Sequence, residues 1–190
     1  MLPTQLTQPT LYSCVTTCIA MLLGKQSPDD IVARYHPLFW SGRLTTHQIL
    51  DSVGLKWRKP RDRHTLKRNK TYLVGVPSLN ITGGMHQVIF QVDNNWTITV
   101  FDPAKGRKGR RYYQSSWLPL DENSEYPICW ELDAEIIGIE RVKVSKAASD
   151  FSAEAFADRR KIAQRSHDYD FHTFLTNRVI DQEETYDLAP

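Results

Sequence analysis

The sequence is poor in the features that would assign it to a membrane, a secretory or a metal-stapled class. Its 190 residues hold only three cysteines. An odd count argues against a closed disulfide framework, so free thiols in a reducing compartment are expected, the cytosol by default. No apolar run approaches the roughly 20 residues needed to cross a bilayer. The opening MLPTQLTQPT has no basic start followed by an apolar segment, and no secretory signal is expected. Internal repeats, low-complexity segments and a Walker-type phosphate loop are all missing. No second close-spaced pair of cysteines or histidines follows Cys14 and Cys18 at finger-like spacing. A site of His86 with both cysteines is then the one zinc arrangement left, and the expectation is no metal and no cofactor.

What is present is enough for a folded domain. The chain is 41% hydrophobic and 11% aromatic, sufficient to bury a core. Net charge is only +2 but unevenly spread. Basic tracts occupy 56–70 (KWRKPRDRHTLKRNK) and 105–111 (KGRKGRR), against an acidic stretch at 181–187. Such blocks read as solvated loops. The alternative is contact with nucleic acid, an acidic protein partner or the chain's own acidic end.

The first third reads as helical. CVTTCIAMLL lies between a possible N-cap, Ser13, and a natural stop, Gly24. SPDDIVARYH has Ser27 to cap it, Pro28 in the first turn and two aspartates at the positive dipole end. TTHQILDSVG is expected to start near Thr45 and end at Gly54. After about residue 70 the character changes. Strand-length stretches rich in β-branched and aromatic residues occur at 71–79, 86–92, 96–101 and 134–144. Helices followed by antiparallel strands predict an α+β domain over 1–145. A further amphipathic helix is expected over 152–166, within a C-terminal extension, 146–190.

The segment HQVIFQVDNNWTITVFD, 86–102, carries the most geometric information. Alternation puts His86, Val88, Phe90 and Val92 on one face of the first strand, and Trp96, Ile98, Val100 and Asp102 on one face of the second. Joining the two apolar sets through a loop of Asp93, Asn94 and Asn95 sets Val92 opposite Trp96. His86 then falls opposite Asp102. A carboxylate beside an imidazole selects its tautomer and stabilises its protonated form.

The third partner is a thiol. Cys14 is one residue past the proposed N-cap, where a helix N-terminus and a nearby imidazolium both favour the thiolate. Cys18, a turn deeper among Ile19, Ala20 and Met21, reads as core, and Cys129 as a buried strand residue. Acyl chemistry also needs donors for an oxyanion. The Gln8 side-chain amide and the Cys14 backbone N–H are the candidates. His36, His47, His64, His167 and His172 have no comparable partners and read as structural or exposed.

The order Gln8, Cys14, His86 and Asp102 in FDPAKG resembles the papain-like cysteine peptidases over about residues 5–145. Within them it is most similar to the double-glycine leader peptidase domains of bacteriocin exporters and their stand-alone relatives. In that group a Gln precedes the nucleophilic Cys by six residues, and an Asp in a "DP" turn follows the His strand. The resemblance implies Gln8 as oxyanion donor, Cys14 as nucleophile, His86 as base and Asp102 as its orienting group. It implies a cysteine hydrolase acting on a peptide, isopeptide or related amide bond. Two departures limit what carries over. Val15 stands where the family has glycine, so substrate preference is not implied. The exporter's membrane and ATPase parts are missing, so leader processing is not implied, and Gly83–Gly84 reads as a flexible lead-in to His86. The alternatives are a silent scaffold binding an acidic partner or nucleic acid through 56–70 and 105–111, and a transferase or deamidase with the same residues.

Overall fold

A computed structural model describes residues 3–139. They belong to one compact unit, Met1–Val142. The expected helix over 152–166, the extension 146–190 and the end of the expected strand 134–144 lie outside the described residues.

Three helices come first: α1 (Cys14–Leu22), α2 (Asp29–Trp40) and α3 (Thr46–Ser52). Their ends follow local chemistry. Gly24 and Gly54 adopt φ of 64° and 73°, the left-handed geometry that closes a helix. Thr45 and Gln48 form a reciprocal capping box at the start of α3. Ser27 Oγ accepts from the Asp29 N–H at 3.2 Å, but the N-cap of α2 is Pro28, not the expected Ser27, and it has no side-chain cap. Ser13 departs from expectation, because its hydroxyl turns back to Thr10 and makes no side-chain cap on α1. Helix α2 also runs on through Pro37, past the expected boundary at His36.

The strands are β1 (Leu55–Arg58), β2 (Lys70–Pro77), β3 (Met85–Val92), β4 (Ile98–Phe101), β5 (Tyr112–Tyr113), β6 (Ser124–Glu125) and β7 (Glu131–Ile139). Five form an antiparallel sheet in the order β1-β7-β2-β3-β4, while β5 and β6 pair separately and in parallel. The architecture is α+β, as the sequence predicts. Strand β1 is a correction, since it takes in the start of the basic tract 56–70. It is held there by pairing with β7 and by the Arg58 guanidinium, which donates two hydrogen bonds to Glu135, at 2.9 and 2.8 Å.

Both faces of the central sheet are buried. On one, Leu73, Ile89 and Ala134 pack with Cys18, Ile19, Met21, Ile49 and Leu50 of the helices. On the other, Tyr72, Val74, Val88, Phe90, Val100 and Leu132 form a second core with Trp130 against Phe90. The neighbours Val88 and Ile89 are both fully buried, one on each side, as period-two alternation dictates.

The β3–β4 hairpin differs from expectation in register. Val92 faces Ile98, not Trp96, and Phe90 faces Val100. The Asp93 carboxylate is the cause: its Oδ1 accepts from the backbone N–H groups of Asn95 at 2.7 Å and Thr97 at 2.8 Å. Those bonds favour a longer loop over the three-residue turn. Trp96 is thereby put in the loop at φ 65°, exposed, with the Arg68 guanidinium 5.2 Å from its ring centre, and it is not core. Cys129 is a second correction. Strand β7 starts only at Glu131, Trp130 turns inward to the second core, and Cys129 is exposed.

Candidate active site

Four elements converge on one end of the sheet. The chain turns between β2 and β3 with Ser78 N–H bonded to Gly84 O at 2.8 Å and Gly84 N–H to Ile81 O at 3.1 Å. This turn is hydrogen-bonded, not a flexible lead-in, and it delivers His86 as the second residue of β3. Just beyond β4, Asp102 is held from three directions. Its Oδ1 accepts from His86 Nε2 at 2.7 Å and from the Ala104 N–H at 2.6 Å, and its Oδ2 from the Tyr113 N–H at 2.6 Å. The carboxylate is fully buried, so every bond it makes is within protein.

A slip of two residues leaves His86 and Asp102 diagonal, not opposite, across the hairpin. Because strand faces repeat every two residues, the slip keeps both side chains on one face, and an imidazole spans a diagonal. Nε2 is committed to Asp102, and Cys14 is the second neighbouring side chain that favours the protonated imidazole. Burial disfavours the imidazolium, but the bonds to Asp102 and Cys14, with the charges of both, outweigh it. The His86 pKa rises from 6.5 to about 10. His86 therefore carries its proton at neutral pH.

Cys14 is the first residue of α1 and half-buried. Its N–H has no intrahelical acceptor, as for any residue at that position. Cys18 is fully buried, and its thiol donates to Gln87 O at 3.3 Å. Burial first, then the charges of Cys14 and Asp102, push its pKa well above the ordinary thiol value. It is core, as the sequence predicts.

Gln8 is buried, and its Nε2 donates one hydrogen bond to Leu11 O at 3.1 Å. That bond fixes the amide plane and leaves the second N–H of the amide uncommitted. The backbone of Gln8 is clamped to the segment after Asp102. Its N–H bonds Pro103 O at 2.8 Å, and its O accepts from Arg107 Nη1 at 2.9 Å.

Sequence reading misses the rest of this clamp. Gln5 Nε2 donates to Asp102 O at 2.8 Å, and Thr7 Oγ1 to Lys105 O at 2.8 Å. Gly106 makes the close approach possible: at φ 88°, an added Cβ would lie 2.8 Å from Thr7 Oγ1. The one local signal is Asp102-Pro103-Ala104, an Asx-type turn in which the aspartate accepts from the N–H two residues on.

His47 and His64 have structural contacts, while His167 and His172 lie outside the described residues. His47 stacks on Trp57 at 4.1 Å, and His64 Nδ1 lies 3.0 Å from Trp130 O. Among the described residues, no group of three or more histidine, cysteine, aspartate and glutamate side chains could hold a metal ion. Nor is any described helix long and apolar enough to cross a membrane.

Comparison of the chain with protein-family models, with curated proteins and with solved structures finds no match.

Proposed function

We propose that this protein is a cysteine hydrolase of papain-like fold, cleaving a peptide, isopeptide or related amide bond. The observation that carries the reading is His86, bonded to buried Asp102 at 2.7 Å and with Cys14, at a helix N-terminus, as the other neighbour that favours its protonated form. A helix start and an adjacent imidazolium are the surroundings that make a cysteine nucleophilic. In the reaction, Cys14 Sγ attacks the carbonyl carbon, and the negative oxygen is held by the Gln8 amide and the Cys14 N–H. The C–N bond breaks as His86 gives its proton to the leaving amine. Water, losing a proton to His86, then attacks the thioester and releases the acid with the free thiol. Asp102 keeps the imidazole in the orientation both steps need. A reduced Cys14 is required throughout, consistent with a cytosolic setting. A transferase or deamidase would share the acyl-enzyme and differ only in what accepts or leaves.

The basic tracts favour a binding role less than their sequence suggests. Arg107 is spent on Gln8 O, Arg111 pairs with Glu125, and Arg63 pairs with Glu131. Arg58 and Lys70 share Glu135. Such internal pairing leaves less charge for a phosphate backbone.

The test needs no substrate. Alkylation of each cysteine is followed by mass spectrometry across pH, in the parent and in His86→Ala. Fast modification of Cys14 near neutral pH, slowed by the substitution, is the expected result. A Cys14 that reacts as an ordinary thiol (pKa about 8.5) and ignores His86 overturns the reading.

A further inference from the structure

Tyr113, whose backbone holds Asp102, also lines an open cavity of ≈ 530 Å³, within the size range of ligand sites. Its walls include Pro77, Tyr113, Trp117, Tyr126, Ile128 and Cys129. Tyr113 belongs to both places. Its backbone N–H holds Asp102 Oδ2 at 2.6 Å, while its phenol donates to Pro77 O at 2.9 Å. Pro77 follows Val76, which is paired directly with His86 across β2 and β3. The cavity is therefore built on the same backbone that holds the imidazole and its carboxylate.

Part of its wall is apolar side chain left in water. Trp117 is 71% exposed and Ile128 80%, and the same loop as Trp117 also exposes Leu118 and Leu120. The Trp117 and Tyr126 rings meet at 5.1 Å with planes tilted by 58°, leaving an angled aromatic wall. Contiguous exposed apolar groups around a concavity mark a binding surface, and aromatic residues are the common anchors of such surfaces. Among the described residues, the single charged one in the lining is Glu125, which is paired with Arg111. The described lining thus offers no uncommitted charge with which to select a charged group.

We propose that this cavity receives an uncharged aromatic or large aliphatic side chain of the peptide whose scissile bond lies at Cys14; the inference rests on the peptidase reading above. The route from Cys14 to the cavity is the strand end itself: Val76 is paired with His86, and the next residue, Pro77, is in the cavity wall. Specificity would then come from Trp117, Tyr126 and Ile128, none of which the chemistry itself uses.

Cys129 supplies the readout, because it is a free, exposed thiol in the cavity wall. In the full chain carrying Cys14→Ala, Cys129 alkylation is timed with alanine-based peptides containing one Trp, Leu, Lys or Glu. The Trp and Leu peptides are expected to slow alkylation about tenfold when present at about ten times their Kd. The Lys and Glu peptides are expected to have little effect, and Trp117→Ala or Ile128→Lys to remove the protection. Equal protection by all four peptides, or by none, overturns the proposal. So does slowing that grows with protein concentration in the absence of peptide, which makes a second copy the occupant. A Cys129 shielded at every concentration without peptide overturns it in favour of an occupant from the same chain. The parent is assayed for cleavage of the same peptides. Cysteine-dependent cleavage without selectivity sinks the cavity and leaves the peptidase; selective protection without any cleavage sinks the peptidase and leaves a peptide-binding cavity.

Discussion

His86 Nε2 lies 2.7 Å from Asp102 Oδ1, although the two residues are two positions out of register across the β3–β4 hairpin. The contact survives the offset because the backbone N–H groups of Ala104 and Tyr113 hold the carboxylate in place independently of strand pairing. Asp102 is therefore both an orienting group and a structural acceptor. Asp102→Asn, which keeps the shape, is expected to reduce turnover about 10²-fold or more by favouring the wrong imidazole tautomer. Asp102→Ala also strands two buried N–H groups and is expected to cost about 1–3 kcal/mol for each. Steady-state kinetics and urea denaturation of the two variants separate the effects.

Under the proposed hydrolase reading, substituting Gln8 separates activation of the thiol from stabilisation of the transition state. Its amide does not contribute to the raised His86 pKa, which comes from Asp102 and Cys14. Gln8→Ala is expected to leave Cys14 alkylation near the parent rate while lowering amide hydrolysis about 10²-fold. A parallel fall in both rates would instead assign Gln8 to the packing of the 3–10 segment.

The pH dependence of stability has a definite sign. The folded His86 pKa is raised, to about 10 from 6.5. Its contribution is thus complete below the unfolded value and is lost as pH rises through the folded one. The urea midpoint is expected to fall between about pH 6.5 and about pH 10. His86→Ala should flatten that slope while lowering stability at neutral pH.

Gly106 controls the clamp between the N-terminal segment and the turn after Asp102. Gly106→Ala forces a side chain into φ 88° and within 2.8 Å of Thr7 Oγ1. The backbone conformation alone should cost about 1–2 kcal/mol. In a double-mutant cycle, Thr7→Gly is expected to recover only the clash and not the backbone cost. Chemical denaturation of the four proteins measures the coupling.

Cys14 and Cys18 should behave as opposites. Cys14→Ala is expected to abolish turnover with little loss of stability, since the residue is half-buried. Cys18→Ala removes a fully buried thiol that donates to Gln87 O, and is expected to cost about 1–2 kcal/mol while leaving the chemistry intact. Native-state alkylation should modify Cys14 and Cys129 and spare Cys18.

Local signals determined much of this protein without reference to the whole. Gly24 and Gly54 end their helices, and Thr45 with Gln48 begins another, because caps depend on residues within one turn. Period-two alternation assigned Val88, Phe90 and Val92 to one face, and the same parity placed His86 and Asp102 within reach even with the wrong loop length. A slip of two residues is invisible to parity. The tertiary structure decided what depends on competition or on distance along the chain. The Asp93 carboxylate set the register and turned Trp96 outward. Inward packing of Trp130 left Cys129 exposed in a cavity wall. Gln5, Thr7 and Gln8 found partners in residues 102–107, about a hundred positions along the chain, where no local pattern brings groups together.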